Sequence, residues 1–216
     1  MDFFFFDLDG TLEDSSEDMI NAVHEVRKQL KLAKKESNEI KSYINKGMTE
    51  LYVNCFSDYI IGDNKLNLLE TVKEKYEACY LKNICVETKL YEGICDILKI
   101  LSAKNKIFVI TNKPEQHSRE LIKQLKINDY ITDVMGGDSC AEMKPSALPV
   151  KLIAEKYHFN SALNRAFMIG DSAGDIICGK NFGAVTIWCA WGYNAHHGTE
   201  KPNFIARLPK DILSLV

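Results

Sequence analysis

The chain has 216 residues, with 27 Lys and Arg against 30 Asp and Glu, so its formal net charge is −3. This balance, without a basic cluster, argues against nucleic acid as a partner, because neutralising phosphates is what drives such binding. Every apolar run is far shorter than the roughly 20 residues that cross a membrane, so no membrane span is expected. The length allows one large domain or a core domain with a smaller one, at roughly 100 to 200 residues per domain.

The cysteines and the first residues indicate a compartment. Seven cysteines are scattered along the chain without C-x-x-C spacing, which fits neither a disulfide framework nor a zinc site, so we expect reduced thiols. Met1 is followed by Asp2 and a short aromatic run, without the basic start and long apolar stretch of a secretory signal. These features predict a cytoplasmic protein.

The first elements predict a buried strand followed by a block of helices. Phe3 to Phe6 form an unbroken aromatic run between charged residues, which is typical of a central strand covered on both faces. From residue 15 to about residue 90, apolar residues recur at helical spacing and no run resembles a buried strand. We expect one helix with Ser16 as its N-cap, a second ending near Gly47, and another from Lys65 to Tyr80.

After Gly93, helices alternate with short apolar runs. The expected helices cover residues 94–103, 115–125 and 147–157 and the stretch after residue 172, and the expected strands lie at 107–110, near 134, at 166–169 and at 184–188. This alternation is typical of parallel strands joined by crossover helices. It predicts an α/β fold: a doubly wound, Rossmann-like parallel-sheet core over residues 1–14 and 91–216, with a helical domain inserted at residues 15–90.

Polar residues follow three of the predicted strands. Asp7 follows the aromatic run, Thr111 follows Ile107–Ile110, and Asp171 lies just after Ile169. In open parallel sheets, ligands bind at the carboxyl ends of the strands, so residues far apart in sequence meet in one crevice. Asp and Thr are also common in such turns for structural reasons. The combination of three, with further acids nearby, favours a functional site.

Four of these acids predict a metal site. Asp7 and Asp9 are two positions apart at the end of a strand and can face the same side. Asp171 and Asp175 are four apart at the start of a helix and project from one face. Because four converging carboxylates repel one another, a divalent ion is expected, and Mg²⁺ suits a few carboxylates together with water and phosphate oxygens.

Three further residues suit a phosphoryl group. Lys144 precedes a predicted helix and is either an ordinary solvated lysine or a fixed positive charge beside the acidic site. Thr111 and Asn112 offer a hydroxyl, an amide and backbone N–H donors to phosphate oxygens.

Four motifs in this order resemble those of the haloacid dehalogenase superfamily. They are Asp7-x-Asp9-Gly10-Thr11-Leu12, Thr111-Asn112-Lys113-Pro114, Lys144-Pro145 and Gly170-Asp171-x-x-x-Asp175. The continuation of the first motif through Asp14-Ser15, together with Gly136-Gly137-Asp138 and Trp191-Gly192-Tyr193, is similar to the phosphoglycolate phosphatase-like group. The inserted helical block resembles the cap domain of that group.

The resemblance implies a Mg²⁺-dependent phosphatase that hydrolyses a small, 2-phosphoglycolate-like phosphate monoester through an aspartyl-phosphate. It makes Asp7 the nucleophile and Asp9 the general acid and later base, with the Asp9 backbone carbonyl helping to hold Mg²⁺. It implies that Asp171 binds the metal directly, and that Asp175 is a ligand or supports one.

The remaining roles concern phosphate and substrate. The resemblance makes Thr111, Asn112 and Lys144 the phosphate-binding residues. The turn at residues 46–49 belongs to the expected cap, so Lys46 and Gly47 are candidates for contacting the organic part of the substrate. For Lys46, an ordinary surface lysine is the other interpretation.

Several alternatives remain open at this stage. A phosphomutase of the β-phosphoglucomutase type, a pyrophosphatase and a nucleotidase would share the same core residues. A non-catalytic regulator is disfavoured because Asp7, Asp9, Lys144 and Asp171 are all present. A nucleotide-binding module is disfavoured because no Gly-x-Gly-x-x-Gly follows the first strand. The expected partner is a small phosphate ester, and the expected assembly is a monomer or a homodimer.

Overall fold

The computed structural model describes residues 1–44 and 47–216. These residues form two compact units. The first consists of Met1–Asp14 and Lys89–Val216, and the second consists of Ser15–Thr88. The boundary after Thr88 lies two residues before the predicted one, because Lys89–Leu90 forms a short strand that pairs with Glu13–Asp14 in the first unit.

The first unit is built on a parallel sheet of six strands. Its strands and those of a separate two-stranded pair are, in chain order, β1 (Phe3–Phe6), β2 (Glu13–Asp14), β3 (Lys89–Leu90), β4 (Lys106–Ile110), β5 (Asp133–Met135), β6 (Ala166–Gly170), β7 (Val185–Cys189) and β8 (Phe204–Ala206). The order in the large sheet is β5-β4-β1-β6-β7-β8, and β2 pairs with β3 in antiparallel fashion. The aromatic run is therefore a central strand, flanked by β4 and β6.

The helices of the described residues fall into two groups. The second unit contains α1 (Ser16–Gln29), α2 (Ser37–Ile44), α3 (Met48–Cys55) and α4 (Lys65–Lys82). The first unit contains α5 (Ile94–Ser102), α6 (Glu115–Gln124), α7 (Leu148–Lys156), α8 (Ala173–Phe182) and α9 (Ile212–Leu215). No helix in the two described ranges is both long and apolar enough to cross a membrane. All seven cysteines are free thiols.

The four phenylalanines of β1 pack on both faces of the sheet. Phe3 and Phe5 belong to a buried cluster with Phe108 of β4 and Val150 of α7. Phe4 points the other way, because side chains alternate along a strand, and its ring stacks on Phe167 at a centroid distance of 4.8 Å. A strand covered on both faces needs no polar alternation, which explains the unbroken run.

Two buried polar side chains of α1, Asp18 and Arg27, organise the second unit. Asp18 of α1 accepts hydrogen bonds from the backbone N–H of Val86 at 3.0 Å and of Thr88 at 2.9 Å, and from the Thr88 hydroxyl at 2.7 Å. Asp18 thereby holds the two ends of the unit together. The buried Arg27 guanidinium donates two hydrogen bonds to Asp58, at 2.9 and 2.7 Å. This pair joins α1 to the segment after α3.

Several predicted details differ in the structure. Ser15, not Ser16, is the N-cap residue of α1, and it makes no side-chain capping bond; its hydroxyl contacts the sulfur of Met19 instead. A turn was expected at residues 46–49, but Met48 and Thr49 are the first residues of α3. The strands β2, β3 and β8 were not predicted, because they are too short for a periodic apolar pattern. The equally short β5 was predicted from its place in the alternation of helices and strands.

An ion-pair network ties the start of β5 to two helices of the first unit. Asp133 accepts hydrogen bonds from Arg119 of α6 at 2.8 Å, from Lys156 of α7 at 2.7 Å and from the Tyr157 hydroxyl at 3.0 Å. Burial raises the pKa of Asp133, but the donors outweigh burial and lower the pKa to about 2. The ionised carboxylate therefore stabilises the folded chain.

We expect Asp133→Asn to lower the free energy of unfolding at neutral pH by about 1 kcal/mol, because the lost ion pairs are partly screened by solvent. A carboxyl with a lowered pKa stabilises the fold above its unfolded pKa of about 3.9, and this stabilisation is lost as the pH falls towards the folded value of about 2. Urea unfolding should therefore show the two proteins converging at acid pH. Asp63→Asn, which removes an exposed carboxylate, is the control, and a gap that persists at acid pH would contradict the assignment.

Candidate active site

The strand order brings three of the predicted residues to one edge of the sheet. Asp7 follows β1, Thr111 follows β4 and Asp171 follows β6, and these three strands are neighbours. The Asp7 backbone N–H bonds to the Ile169 carbonyl at 2.9 Å, which continues the pairing of β1 with β6. All three side chains are buried. Their positions are thus determined by the rigid sheet and not by a mobile loop.

Three carboxylates meet at this edge with a lysine among them. Asp7, Asp171 and Asp175 each offer an oxygen atom, and these atoms lie within 4.8 Å of one another. Lys144 Nζ is 2.6 Å from Asp7 Oδ1 and 2.6 Å from Asp175 Oδ1. The lysine is only 5% exposed, so it is not an ordinary solvated lysine.

The electrostatics of the cluster favour an additional cation. Burial, followed by the charges of Asp175 and Asp171, raises the pKa of Asp7 well above its usual value despite Lys144. Burial and then Asp175 raise the pKa of Asp171 to about 6. Burial acts to lower the pKa of Lys144, but Asp175 and Asp7 outweigh it and raise the pKa. One lysine does not balance three carboxylates, and hard oxygen donors of this kind could hold a metal ion.

Asp175 has two structural roles that occupy both of its oxygens. Its Oδ2 accepts hydrogen bonds from the Ser172 backbone N–H at 3.0 Å and from the Ser172 hydroxyl at 2.7 Å. The Ser172 hydroxyl in turn accepts from the Asp175 N–H, which completes a capping box at the start of α8. Its Oδ1 accepts from Lys144 at 2.6 Å. Of the two expected roles, this geometry favours support of the site over direct ligation.

The structure places the carboxylate of Asp9 apart from the three-acid cluster. The strand β1 ends at Phe6 and the chain bends at Leu8, so the alternation of side chains assumed for Asp7 and Asp9 no longer applies. The loop continues through Gly10, which has a φ of 79°. The Asp9 side chain forms a close ion pair with the buried Lys113. A Cβ at Gly10 would lie 2.7 Å from Asp171 Oδ2, so this loop also requires glycine to pass the acidic site.

Lys113 and Glu13 lie beside Asp9 and were given no role from the sequence. Lys113 is part of the Thr-Asn-Lys-Pro motif, so its place at a strand end was the available signal. Glu13 is fully buried, and its carboxyl group lies near those of Asp9 and Asp14 and near the Lys113 ammonium group. Burial first, and then the charge of Asp9, raise the pKa of Glu13 well above its usual value. No sequence pattern distinguishes this glutamate from a solvated one.

The residues expected to bind phosphate have different local roles. The Asn112 side-chain amide donates to the Lys144 carbonyl at 3.0 Å and so holds the backbone of that lysine in place. The Thr111 hydroxyl accepts from the Lys113 backbone N–H at 3.1 Å, which leaves its proton available to donate.

The candidate substrate residues belong to the second unit. Lys46 lies outside the described residues. Gly47 is exposed and is the N-cap residue of α3, with a φ of 99°.

Comparison with known proteins decides the family. A family model for haloacid dehalogenase-like hydrolases matches residues 4–189. The chain belongs to the haloacid dehalogenase-like hydrolase family. The resemblance predicted from the four motifs is thereby confirmed, as is the predicted α/β fold with its parallel sheet.

Curated relatives match nearly the whole chain. A phosphoglycolate phosphatase of Aquifex aeolicus is 32% identical over 212 residues, which cover 98% of this chain and 94% of the relative. A phosphoglycolate phosphatase of Neisseria gonorrhoeae is 33% identical over 214 residues, which cover 95% of this chain and 89% of the relative. This chain is therefore a phosphoglycolate phosphatase-like hydrolase of the family.

Solved structures share the fold. A protein from Haemophilus somnus, described as a predicted phosphoglycolate phosphatase, superposes with a TM-score of 0.87 at 24% identity and covers 100% of this chain and 97% of its own. A haloacid dehalogenase-like family protein from Streptococcus pneumoniae has a TM-score of 0.79 at 24% identity and covers 100% of this chain and 98% of its own. The likeness extends over the whole chain in both cases.

We expect Lys144→Met to lower the free energy of unfolding by about 3 kcal/mol in EDTA, because Asp7 and Asp175 then lose the buried charge between them. The loss should be larger near pH 8 than near pH 5, since the raised pKa values of Asp7 and Asp171 mean that these carboxyls ionise as the pH increases. Added Mg²⁺ should restore part of the loss.

Urea unfolding measures these differences, with Lys151→Met as the matched control. Lys151 is an exposed lysine of α7, and its replacement should change the free energy of unfolding by less than about 0.5 kcal/mol. Equal effects of the two substitutions would contradict the bridging role of Lys144.

Proposed function

We propose that this chain is a Mg²⁺-dependent phosphatase that hydrolyses a small phosphate monoester through an aspartyl-phosphate. The observation that carries the proposal is the position of Asp7, with Lys144 Nζ 2.6 Å from its Oδ1 and with Asp171 and Asp175 beside it. A nucleophilic carboxylate, a fixed positive charge and further oxygen ligands are the groups that such a reaction needs.

In the first half of the reaction, an oxygen of Asp7 forms a bond to phosphorus as the bond from phosphorus to the alkoxide oxygen breaks. Asp9 donates a proton to the departing alkoxide, which leaves as an alcohol. Before substrate binds, the ion pair with Lys113 holds Asp9 in place as a carboxylate, so Asp9 takes up a proton from solvent before it acts as the acid. Lys144 offsets negative charge on the phosphoryl oxygens, and in this proposal the Thr111 hydroxyl and the Asn112 backbone N–H bind them.

In the second half, Asp9 accepts a proton from water as the water oxygen attacks phosphorus. The bond between phosphorus and Asp7 then breaks, which releases inorganic phosphate and restores the Asp7 carboxylate. Splitting the displacement into two steps lets one carboxyl group act first as acid and then as base. Water and the alkoxide must therefore use the same side of the phosphoryl group, next to Asp9.

The metal ligands in this proposal are the carboxylates of Asp7 and Asp171 and the backbone carbonyl of Asp9. Asp175 supports them through Lys144 and the start of α8. When bound, Mg²⁺ would offset the negative charge of the nucleophile and of the phosphate as they approach each other. The excess of carboxylates over lysine in this cluster supports a divalent cation there.

A 2-phosphoglycolate-like substrate is supported by the names of the relatives from Aquifex aeolicus and Neisseria gonorrhoeae, which cover 98% and 95% of this chain. We further propose that the second unit acts as a cap that selects the organic part of the substrate, with Lys46 and Gly47 as its candidate contacts. The free state of all seven cysteines supports a reducing compartment such as the cytoplasm.

Phosphate release from a panel of esters tests the substrate class. We expect turnover of 2-phosphoglycolate that disappears in EDTA and returns with Mg²⁺. Without a cation, the negative charges of the acidic cluster repel the negative phosphate group of the substrate. Sugar phosphates, nucleotides and pyrophosphate are the comparison substrates. Preferred release from one of these would replace the 2-phosphoglycolate assignment. Conversion of a sugar phosphate to its isomer, dependent on a bisphosphorylated activator, would instead identify a mutase.

Asp7→Asn tests the covalent mechanism. We expect turnover to fall by roughly three orders of magnitude or more, because the amide cannot attack phosphorus. The melting temperature should be unchanged or higher, since the substitution keeps the shape and removes one of three buried like charges. Asp63→Asn should leave turnover unchanged. Near-normal activity of the Asp7 variant would rule out the aspartyl-phosphate.

A further inference from the structure

We infer that Asn194 is a positioning residue for Asp171, and that its side-chain amide sets the affinity of the site for a divalent cation. The inference rests on the proposed function, because it assumes that Asp171 is a metal ligand. Asn194 lies in the loop between β7 and β8 and belongs to none of the four motifs that predicted the site. Its role becomes visible only from the contacts of the Asp171 carboxylate.

The two oxygens of Asp171 have unequal surroundings. Oδ2 accepts from the Tyr193 backbone N–H at 2.8 Å, from the Asn194 backbone N–H at 3.3 Å and from the Asn194 side-chain amide at 3.2 Å. Oδ1 has one longer contact, from the Thr11 hydroxyl at 3.4 Å. Three donors hold Oδ2, so Oδ1 keeps the lone pairs that a cation would use. The loop therefore determines which oxygen of Asp171 is presented to the site.

The loop is itself anchored around Asp171. Trp188 Nε1 donates to the Asp171 backbone carbonyl at 2.8 Å, and Trp191 Nε1 donates to the Thr11 carbonyl at 3.1 Å. A Cβ at Gly192 would lie 2.3 Å from Asp171 Cβ and 2.4 Å from the Gly10 carbonyl, so only glycine allows this approach. These contacts place Asn194 independently of its own amide. Removing the amide should therefore leave the loop in place.

Asn194 supplies the one donor to Oδ2 that substitution can remove, since the other two are backbone N–H groups. A neutral amide stabilises and orients the carboxylate without adding charge to a crowded acidic site. Removing such partners of ligating carboxylates and histidines typically costs about 10- to 100-fold in metal affinity. A purely structural role of Asn194 would instead lower stability and leave metal affinity unchanged.

The test is the affinity of the 216-residue chain for Mn²⁺ without substrate, measured from the electron paramagnetic resonance signal of the free ion. Mn²⁺ is the probe because it shares with Mg²⁺ a preference for oxygen ligands in octahedral geometry. We expect Asn194→Ala to raise the Kd by about tenfold or more. Asn194→Leu, which keeps more of the side-chain volume, should show the same weakening. Asn128→Ala is the control. Asn128 is exposed and lies in the short turn that precedes the amino end of β5, whereas the acidic site lies at the carboxyl ends of the strands.

The outcomes separate this inference from the proposed function. A tenfold rise in Kd for both Asn194 variants, with melting temperatures in EDTA close to that of Asn128→Ala, supports the positioning role. In phosphatase assays, the same variants should need more Mg²⁺ for half-maximal rate and recover kcat at saturating Mg²⁺. Unchanged Kd values overturn the inference and leave the proposed function standing. A wild-type chain that binds no Mn²⁺ overturns both.

Discussion

The structure depends on one electrostatic constraint, the close approach of three buried carboxylates to a single lysine. Asp7, Asp171 and Asp175 have oxygen atoms within 4.8 Å of one another, and Lys144 bridges two of them. Such a cluster is unfavourable by itself, because like charges repel and burial penalises every ionised group. The excess negative charge that remains would let the site hold a cation, which in the proposed function makes it suitable for a phosphate ester.

Much of the fold serves to hold these three carboxylates and Lys144 in position. The aromatic strand β1 is buried on both faces between β4 and β6, so Asp7 directly follows a central, fully buried strand. Groups that act in the proposed chemistry also complete local structure. Asp175 caps α8 through Ser172, and Asn112 anchors the backbone of Lys144. Because packing, capping and charge compensation share the same residues, a substitution here changes stability and chemistry together.

Lys113 and Glu13 show where reasoning from the sequence ended. Both are buried beside Asp9, yet each looks like an ordinary charged residue in the sequence, since the usual position of lysine and glutamate is in solvent. The direction of the Asp9 carboxylate was equally hidden. It depends on the bend at Leu8, just after β1 ends at Phe6, which interrupts the alternation of side chains along the strand. Short strands such as β3 and β8 were not predicted, because two or three residues are too few to show the alternation of apolar and polar residues that is typical of a strand.

The sequence by itself determined the alternation of helices with the strands β1, β4, β5, β6 and β7, the resemblance to the family and the set of acids just after the strand ends. These follow from local apolar periodicity and from motifs that are contiguous in the chain. Only the tertiary structure decided the pairings: Lys144 between Asp7 and Asp175, Asp9 with Lys113, and the three donors on Asp171. Each pairing joins residues from different loops, and its geometry depends on which strands are neighbours and on loop dihedral angles that spacing along the chain does not encode.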